Sequence, residues 1–464
     1  MAAGRKGWTT RILLLVSVTL YAVLVGADIA PNPIPGLWDW LGKDRPLAEG
    51  LAWQERLGAR PASAAPAGDA IAVEAGNRAE LRDLDSGALV GPRGEETWNA
   101  EWLVAAGSET EPIVIIGREG SEGYQVRDPD TGVLLHEDED AVAAWGFSDG
   151  WLDLRCDSRR ACQLRAYQPG SYLPVWSVDL PGRREGLRGG NPALAGPRVP
   201  EPNRIHPQVS GPRPLPRLIG LPVSRGGDDA VVVVDTSSGR VLREHLIGDD
   251  ERVIVVGDRL VSSTMARHGG VCVSQVTGID PVSGTPVWGP LPLHLWSSDG
   301  VGCEQRIPPL AGGSALTAIG TDGRPVIFDS YDGHLLWTGE LDERVEDLTA
   351  ERAVIRAADE TTRYGVLLGG SGDRQWERLA DEDAGVMIAS CGVVVADRDP
   401  NRIYVWDPVT GEIRLSLSTS ARVLACAPDG VLIADGRSIG FARFDGAAPL
   451  PTGQDGDPPP LDSK

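Results

Sequence analysis

Apolar residues along this chain come in short runs broken by polar residues, and the runs are rich in β-branched side chains. Ile113 to Ile116, Val231 to Val234, Val253 to Val256, Val393 to Ala396 and Val431 to Ala434 are each closed by Gly or Asp. Runs this short, punctuated by turn formers, predict strands and leave no room for amphipathic helices. Beyond the N-terminus the pattern is therefore all-β.

One turn phrase recurs between the runs. It is clearest as Asp280-Pro-Val-Ser-Gly284-Thr-Pro-Val-Trp288 and Asp329-Ser-Tyr-Asp-Gly333-His-Leu-Leu-Trp337. The Asp-to-Gly spacing also occurs at Asp83/Gly87, Asp128/Gly132, Asp235/Gly239 and Asp407/Gly411. Degenerate copies stand at Gln168 and Leu368, each with a tryptophan eight residues on, at Trp176 and Trp376. Successive marks lie 45, 40, 67, 45, 49, 39 and 39 residues apart. Apart from the long interval, that is the period of a four-stranded propeller blade. The glycine suits the φ > 0 turn position, the aspartate caps turn amides, and the tryptophan fills the gap between adjacent sheets. Leu51 to Leu57 reads as an outer strand without its sheet, and Ile439 to Gly446 as a strand approaching a mark; pairing the two ends would close the ring and remove its free edges. Eight marks and a closing half-repeat bound the count between seven and nine blades, and the reading adopted is eight.

The N-terminus sets the compartment. Arg5, Lys6 and Arg11 precede an apolar stretch from Ile12 to Ala27, close to the roughly 20 residues that span a bilayer. Positive charge before it and acid after it orient the N-terminus inward. An uncleaved anchor is preferred to a signal peptide cut after Val25-Gly-Ala27. The expected organisation is a cytoplasmic basic segment at 1–11, a transmembrane signal-anchor helix at 12–29, a Pro-rich linker at 30–50, a propeller at 51–446 and a disordered tail at 447–464. The propeller is expected on the extracytoplasmic side of the cell membrane.

Six cysteines fit an exported chain, and their spacing matches no zinc pattern. The expected bridges are Cys156 with Cys162, Cys272 with Cys303, and Cys391 with Cys426. The formal charge of −22 argues against nucleic acid as a partner. Against that acidic background, the long interval holds a basic insertion at 181–222, with ten prolines and seven arginines against two glutamates. It is too proline-rich for a regular strand or helix. Arg183, Arg184, Arg188, Arg198, Arg204, Arg213 and Arg217 are the candidate contacts for an acidic partner or a phospholipid head group; the alternative is a solvated loop.

The marks resemble the repeat of the PQQ-type β-propeller family, Ala-x-Asp-x-x-Thr-Gly-x-x-x-Trp. Asp280 to Trp288 and Asp329 to Trp337 match it best, and Asp128-Pro-Asp-Thr131-Gly132 and Asp407-Pro-Val-Thr410-Gly411 match its first half. The resemblance spans about residues 50 to 446. It implies the propeller and, for function, either a quinoprotein dehydrogenase with PQQ and calcium or a non-enzymatic scaffold like BamB. The dehydrogenases usually hold their quinone beside adjacent cysteines, and this chain has none. It also lacks the lipoprotein cysteine of BamB. No His-Glu-x-x-His, phosphate-cradling glycine loop or Gly-x-Ser-x-Gly elbow is present. The six histidines read as surface or loop residues, and the runs Glu137-Asp-Glu-Asp140 and Asp381-Glu-Asp383 as solvated loops. The expectation is a membrane-tethered scaffold for cell-envelope protein partners, with no catalytic, cofactor-binding or metal-binding residue assigned. A quinone-dependent dehydrogenase and an extracytoplasmic small-molecule or sugar sensor are the alternatives.

Overall fold

The computed structural model describes residues 46–444 apart from 92–96, 109, 119–122, 158–160, 182–195, 197, 199–201, 226–227, 269–270, 296–306 and 371. The chain divides into Met1–Pro46 and Leu47–Lys464, and the second unit is described here. The expected anchor helix at 12–29 and tail at 447–464 lie outside the described residues, as does most of the linker. Among the described residues no helix is long and apolar enough to cross a membrane.

Nine antiparallel sheets succeed one another. Blades 1 to 8 comprise residues 61–99, 102–138, 141–180, 218–246, 251–291, 293–338, 344–379 and 385–418; blade 9 combines 422–443 with Trp53–Arg56. The expected count of eight is thus one short. Every mark sits in the turn between the third and fourth strands of a blade, so eight marks make eight blades. The ninth has no such turn, because its fourth strand comes from the other end of the domain. Trp53 faces Phe441 and Arg56 faces Ser438 in that closing pair, which is the expected closure.

Turn chemistry explains the repeat. The Gly87, Gly239 and Gly411 amides donate to the carbonyls of Asp83, Asp235 and Asp407 at 2.8 Å, with φ between 67° and 71°. A side chain there would be strained. It would also collide with a tryptophan: ring atoms of Trp53, Trp176 and Trp376 stand 2.6–2.8 Å from where a Cβ would be. Those tryptophans come from the preceding blade, and their indole N–H groups donate to the carbonyls of Leu84, Thr236 and Pro408. Aspartate, glycine and tryptophan are thus one interblade joint, and it recurs because each blade must dock on the next. Apolar strand faces fill the space between sheets, as where Ala64, Ile71 and Val73 of blade 1 pack on Leu432, Ile439 and Phe441 of blade 9.

Blade 4 departs from the pattern. Among the described residues it has three strands, Leu218–Arg225, Asp228–Asp235 and Arg240–Leu246. Its mark lies between the last two, so they are its third and fourth, and no inner strand stands among the described residues. Leu218–Arg225 also corrects the expectation that 181–222 holds no regular strand. Pro222 is tolerated because the absent inner neighbour leaves that edge without a demand for its N–H.

Candidate functional site

The chain that should supply the inner strand of blade 4 runs down the propeller axis instead. Strands alternate in direction, so second-to-third turns and blade-to-blade connections lie on one face of the ring, and first-to-second turns lie on the other. On the first face Arg204 donates to the carbonyls of Thr419 and Ala421 at 2.7 and 2.8 Å, to Asn401 Oδ1 at 3.3 Å and to the Asp397 carbonyl. Ile205 then forms a parallel bridge with Val423 on the inner strand of blade 9. The His206 amide donates to the Val423 carbonyl at 2.9 Å, and the Val423 amide to the Arg204 carbonyl at 2.8 Å. The short 3-10 turn Pro207–Ser210 follows, with His206 accepting the Gln208 amide. Val209 is fully buried among Met387, Cys391 and Cys426, and Gln208 donates to the Leu103 carbonyl of blade 2 at 3.1 Å. On the opposite face the Arg213 carbonyl accepts from Ser148 at 3.0 Å, in the first turn of blade 3. Residues 202–217 are therefore a stopper threaded through the ring.

The composition that argued against a strand suits this path. Pro202, Pro207, Pro212, Pro214 and Pro216 carry no N–H, so an irregular backbone enters the channel with few donors to satisfy. Gly385, on the inner strand of blade 8, allows the close approach, since a Cβ there would meet the Asn203 carbonyl oxygen at 2.3 Å. The expectation of a single basic contact loop is corrected accordingly. Arg204 is a half-buried structural anchor, while Arg198, Arg213 and Arg217 are exposed and Arg217 stands 3.3 Å from Asp258. Arg183, Arg184 and Arg188 lie outside the described residues.

Two titratable groups mark the channel. Burial, helped by the charge of Arg422, pushes His206 down to about 4 from 6.5. Burial lifts Asp347, on the inner strand of blade 7, to about 6 from 3.8, against the opposing amide of Ile388 and charge of Arg213. The linked effects have opposite signs. The unfolded chain protonates His206 first, so its contribution is intact above 6.5 and is lost as pH falls towards 4. Folded Asp347 takes its proton first, so its contribution is full below 3.8 and is lost as pH rises through 6. His206→Asn keeps an acceptor for the Gln208 amide and removes only the first term. Its stability relative to the parent should rise between pH 7.5 and pH 5, read from urea midpoints at the two values; a difference independent of pH would refute the burial of His206.

The acidic run Glu137-Asp-Glu-Asp140 is not wholly a solvated loop. Asp138 is buried between blades 2 and 3, bridged by Arg155 and by Arg165 at 2.5 Å. Arg165 also holds Asp153, Nε to Oδ1 at 2.9 Å, and Tyr124 donates its hydroxyl to Asp153 at 2.9 Å. Burial alone would raise both carboxyls. At Asp138 the hydrogen bonds of Arg165 and Arg155 outweigh it and hold the group below its ordinary value; at Asp153 burial prevails and the group is raised. His136 stacks on Tyr172 at 6.0 Å beside this network, so it too is more than a surface residue. A fully buried Asp138 carries no sequence signal separating it from exposed Glu137 and Glu139, because their difference depends on an arginine 27 residues away.

The cysteines fall largely as expected. Cys156–Cys162 and Cys391–Cys426 are disulfides with Cα separations of 4.0 and 5.7 Å, the latter joining blades 8 and 9. Cys272 is disulfide-bonded, and its expected partner Cys303 lies outside the described residues. The quinone and calcium of the dehydrogenases fit these residues poorly. Ile205, His206 and Val209 enter the channel against the inner strands of blades 8 and 9, and among the described residues no three His, Cys, Asp or Glu converge as a metal site.

Residues 273–422 match the family model described as outer membrane protein assembly factor BamB. No curated protein matches the chain. Among solved structures, BamB from Moraxella catarrhalis is 15% identical with a TM-score of 0.38, over 85% of this chain and 99% of that one. A eukaryotic initiation factor is 11% identical with a TM-score of 0.47, over 85% and 93%. The quinohemoprotein alcohol dehydrogenase ADHIIG from Pseudomonas putida HK5 is 12% identical with a TM-score of 0.38, over 86% and 77%.

Proposed function

We propose that this BamB-like propeller with PQQ-type repeats is a non-catalytic interaction scaffold, held at the cell membrane by its N-terminal segment and displaying its blades to cell-envelope proteins. The observation that carries the reading is the stopper. A channel occupied by the segment that carries Ile205, His206 and Val209 favours the faces and rim as the surfaces for recognition, and recognition from loops on a rigid frame is a common use of such folds. The exposed arginines flanking the stopper, on a chain of charge −22, favour an acidic partner surface.

Cross-linked co-purification of the full-length protein from its native membrane tests this. The comparison is a variant with Arg183, Arg184, Arg188 and Arg198 changed to Gln, which leaves the stopper in place. A specific envelope partner recovered with the parent and lost with the variant is the expected result. Recovery of no partner, together with dye reduction after reconstitution with PQQ and calcium, would replace the scaffold by the dehydrogenase.

A further inference from the structure

Blades 1 and 2 meet at an open cleft of about 310 Å³ lined by Arg78, Thr97, Trp98, Asn99, Arg118 and Gln125. We propose that this cleft is a binding site for a phosphate group, independent of the scaffold reading. The elements assemble it by register. Thr97–Asn99 pairs with the third strand of blade 1, setting Asn99 opposite Arg78 and Trp98 opposite Ala79. Across the joint, Gln125 faces Ile116 on blade 2, close to where Arg118 leaves that strand.

Trp98 is the blade-joint tryptophan of blade 1, yet it is seated differently from its counterparts. Trp53, Trp176, Trp288 and Trp376 each donate the indole N–H to the carbonyl of the residue after the turn aspartate or its equivalent. Trp98 instead turns the edge of its six-membered ring to the turn glycine, with Cη2 and Cζ2 at 3.2 and 3.4 Å from the Cβ position of Gly132. Its Nε1 is buried without a hydrogen-bond partner. A buried donor left unpaired is costly unless a ligand supplies the acceptor.

Among the described residues, the charged side chains that line the cleft are both arginines. The Arg127 guanidinium lies 4.3 Å over the Trp98 ring. Among the described residues neither Arg78 nor Arg118 has a hydrogen bond or ion pair through its side chain. Two carboxylates of the adjoining described strands are engaged, Glu80 with Arg82 at 2.6 Å and Glu137 with Gln125 at 2.8 Å. Gln125 in turn accepts from Arg127. Two unpaired guanidiniums, an indole N–H, a hydroxyl and an amide present donors, and among the described residues no carboxylate lines the cleft. Such a set suits an anion with acceptor oxygens on several sides, and a phosphate has more of them than a carboxylate.

Calorimetric titration of the purified full-length protein decides it, with inorganic phosphate, sn-glycerol 3-phosphate and acetate as probes. Saturable binding of phosphate or of the ester is expected, with acetate much weaker. Binding of the ester alone means that the group is carried on a larger molecule and still supports the site. Arg78→Gln/Arg118→Gln should weaken binding by on the order of tenfold or more, Trp98→Phe should weaken it by a smaller factor, and Arg402→Gln on blade 8 should leave it unchanged. Melting curves identify any variant that has lost its fold. No binding by the parent, equal affinity in the folded double variant, or acetate binding as tightly as phosphate would overturn the proposal.

Discussion

Arg165→Leu is expected to destabilise the propeller by about 3–5 kcal/mol, the cost of leaving buried carboxylates without their partner. Arg165 is 8% exposed and is the one group that bridges both Asp138 and Asp153, which are 2% and 0% exposed. Its removal leaves Asp153 with a tyrosine hydroxyl, from Tyr124, in place of a cation, and leaves Asp138 with the more exposed Arg155 and the backbone amides of Asp140 and Ala141. Urea unfolding followed by tryptophan fluorescence reads the loss. The triple variant Asp138→Asn/Asp153→Asn/Arg165→Leu removes the charges together and should recover most of the stability, since a buried ion set is worth little over a neutral one of similar shape. An unchanged midpoint for Arg165→Leu would show that water reaches the carboxylates.

The second large effect is expected for Arg204→Ala, at about 2–4 kcal/mol. Arg204 holds a left-handed backbone, φ 65°, a conformation that persists in a long side chain only where its surroundings impose it. The guanidinium imposes it by reaching four acceptors, two on blade 8 and two on the connection from blade 8 to blade 9. Lysine has the charge but not the fork needed to meet them together, so Arg204→Lys should fail to rescue. The readout specific to this role is hydrogen exchange: amides at 203–211 should lose protection while the blade strands keep theirs. Equal loss in both would mean that Arg204 supports the whole ring and not the stopper.

The blade architecture was legible because it is written locally. A mark such as Asp407-Pro-Val-Thr-Gly411 encodes its own turn: Asp407 Oδ1 accepts the Val409 and Thr410 amides, and the Gly411 amide returns to the Asp407 carbonyl. The ninth blade escaped the count because its turn is replaced by a junction between the two ends of the domain. The cysteine pair Cys391 and Cys426 was also legible, since both stand close to the turn that precedes the second strand, in neighbouring blades. The acidic run at 137–140 misled for the opposite reason. Charge and solvation look the same along a strand whether or not an arginine waits on the next blade.

The arginines of the insertion show the same division within one segment. Their number and sign were plain, but Arg204 is bound inside the ring while Arg198 and Arg213 are exposed. The cleft at Trp98 had no sequence signal either. Trp98 has the same residue type as the other joint tryptophans, and only its orientation leaves the N–H unpaired.

By itself the sequence determined the all-β repeat, the blade-to-blade joints, the closure of Trp53–Arg56 on the last blade and the acidic charge, since each rests on residues a few positions apart or on composition. Only the tertiary structure decided that the described residues of blade 4 include no inner strand, that residues 202–217 run through the ring, and which of many charges are buried. Those outcomes depend on contacts such as Ile205 with Val423 and Arg165 with Asp138, where burial and desolvation, not local pattern, set the energy.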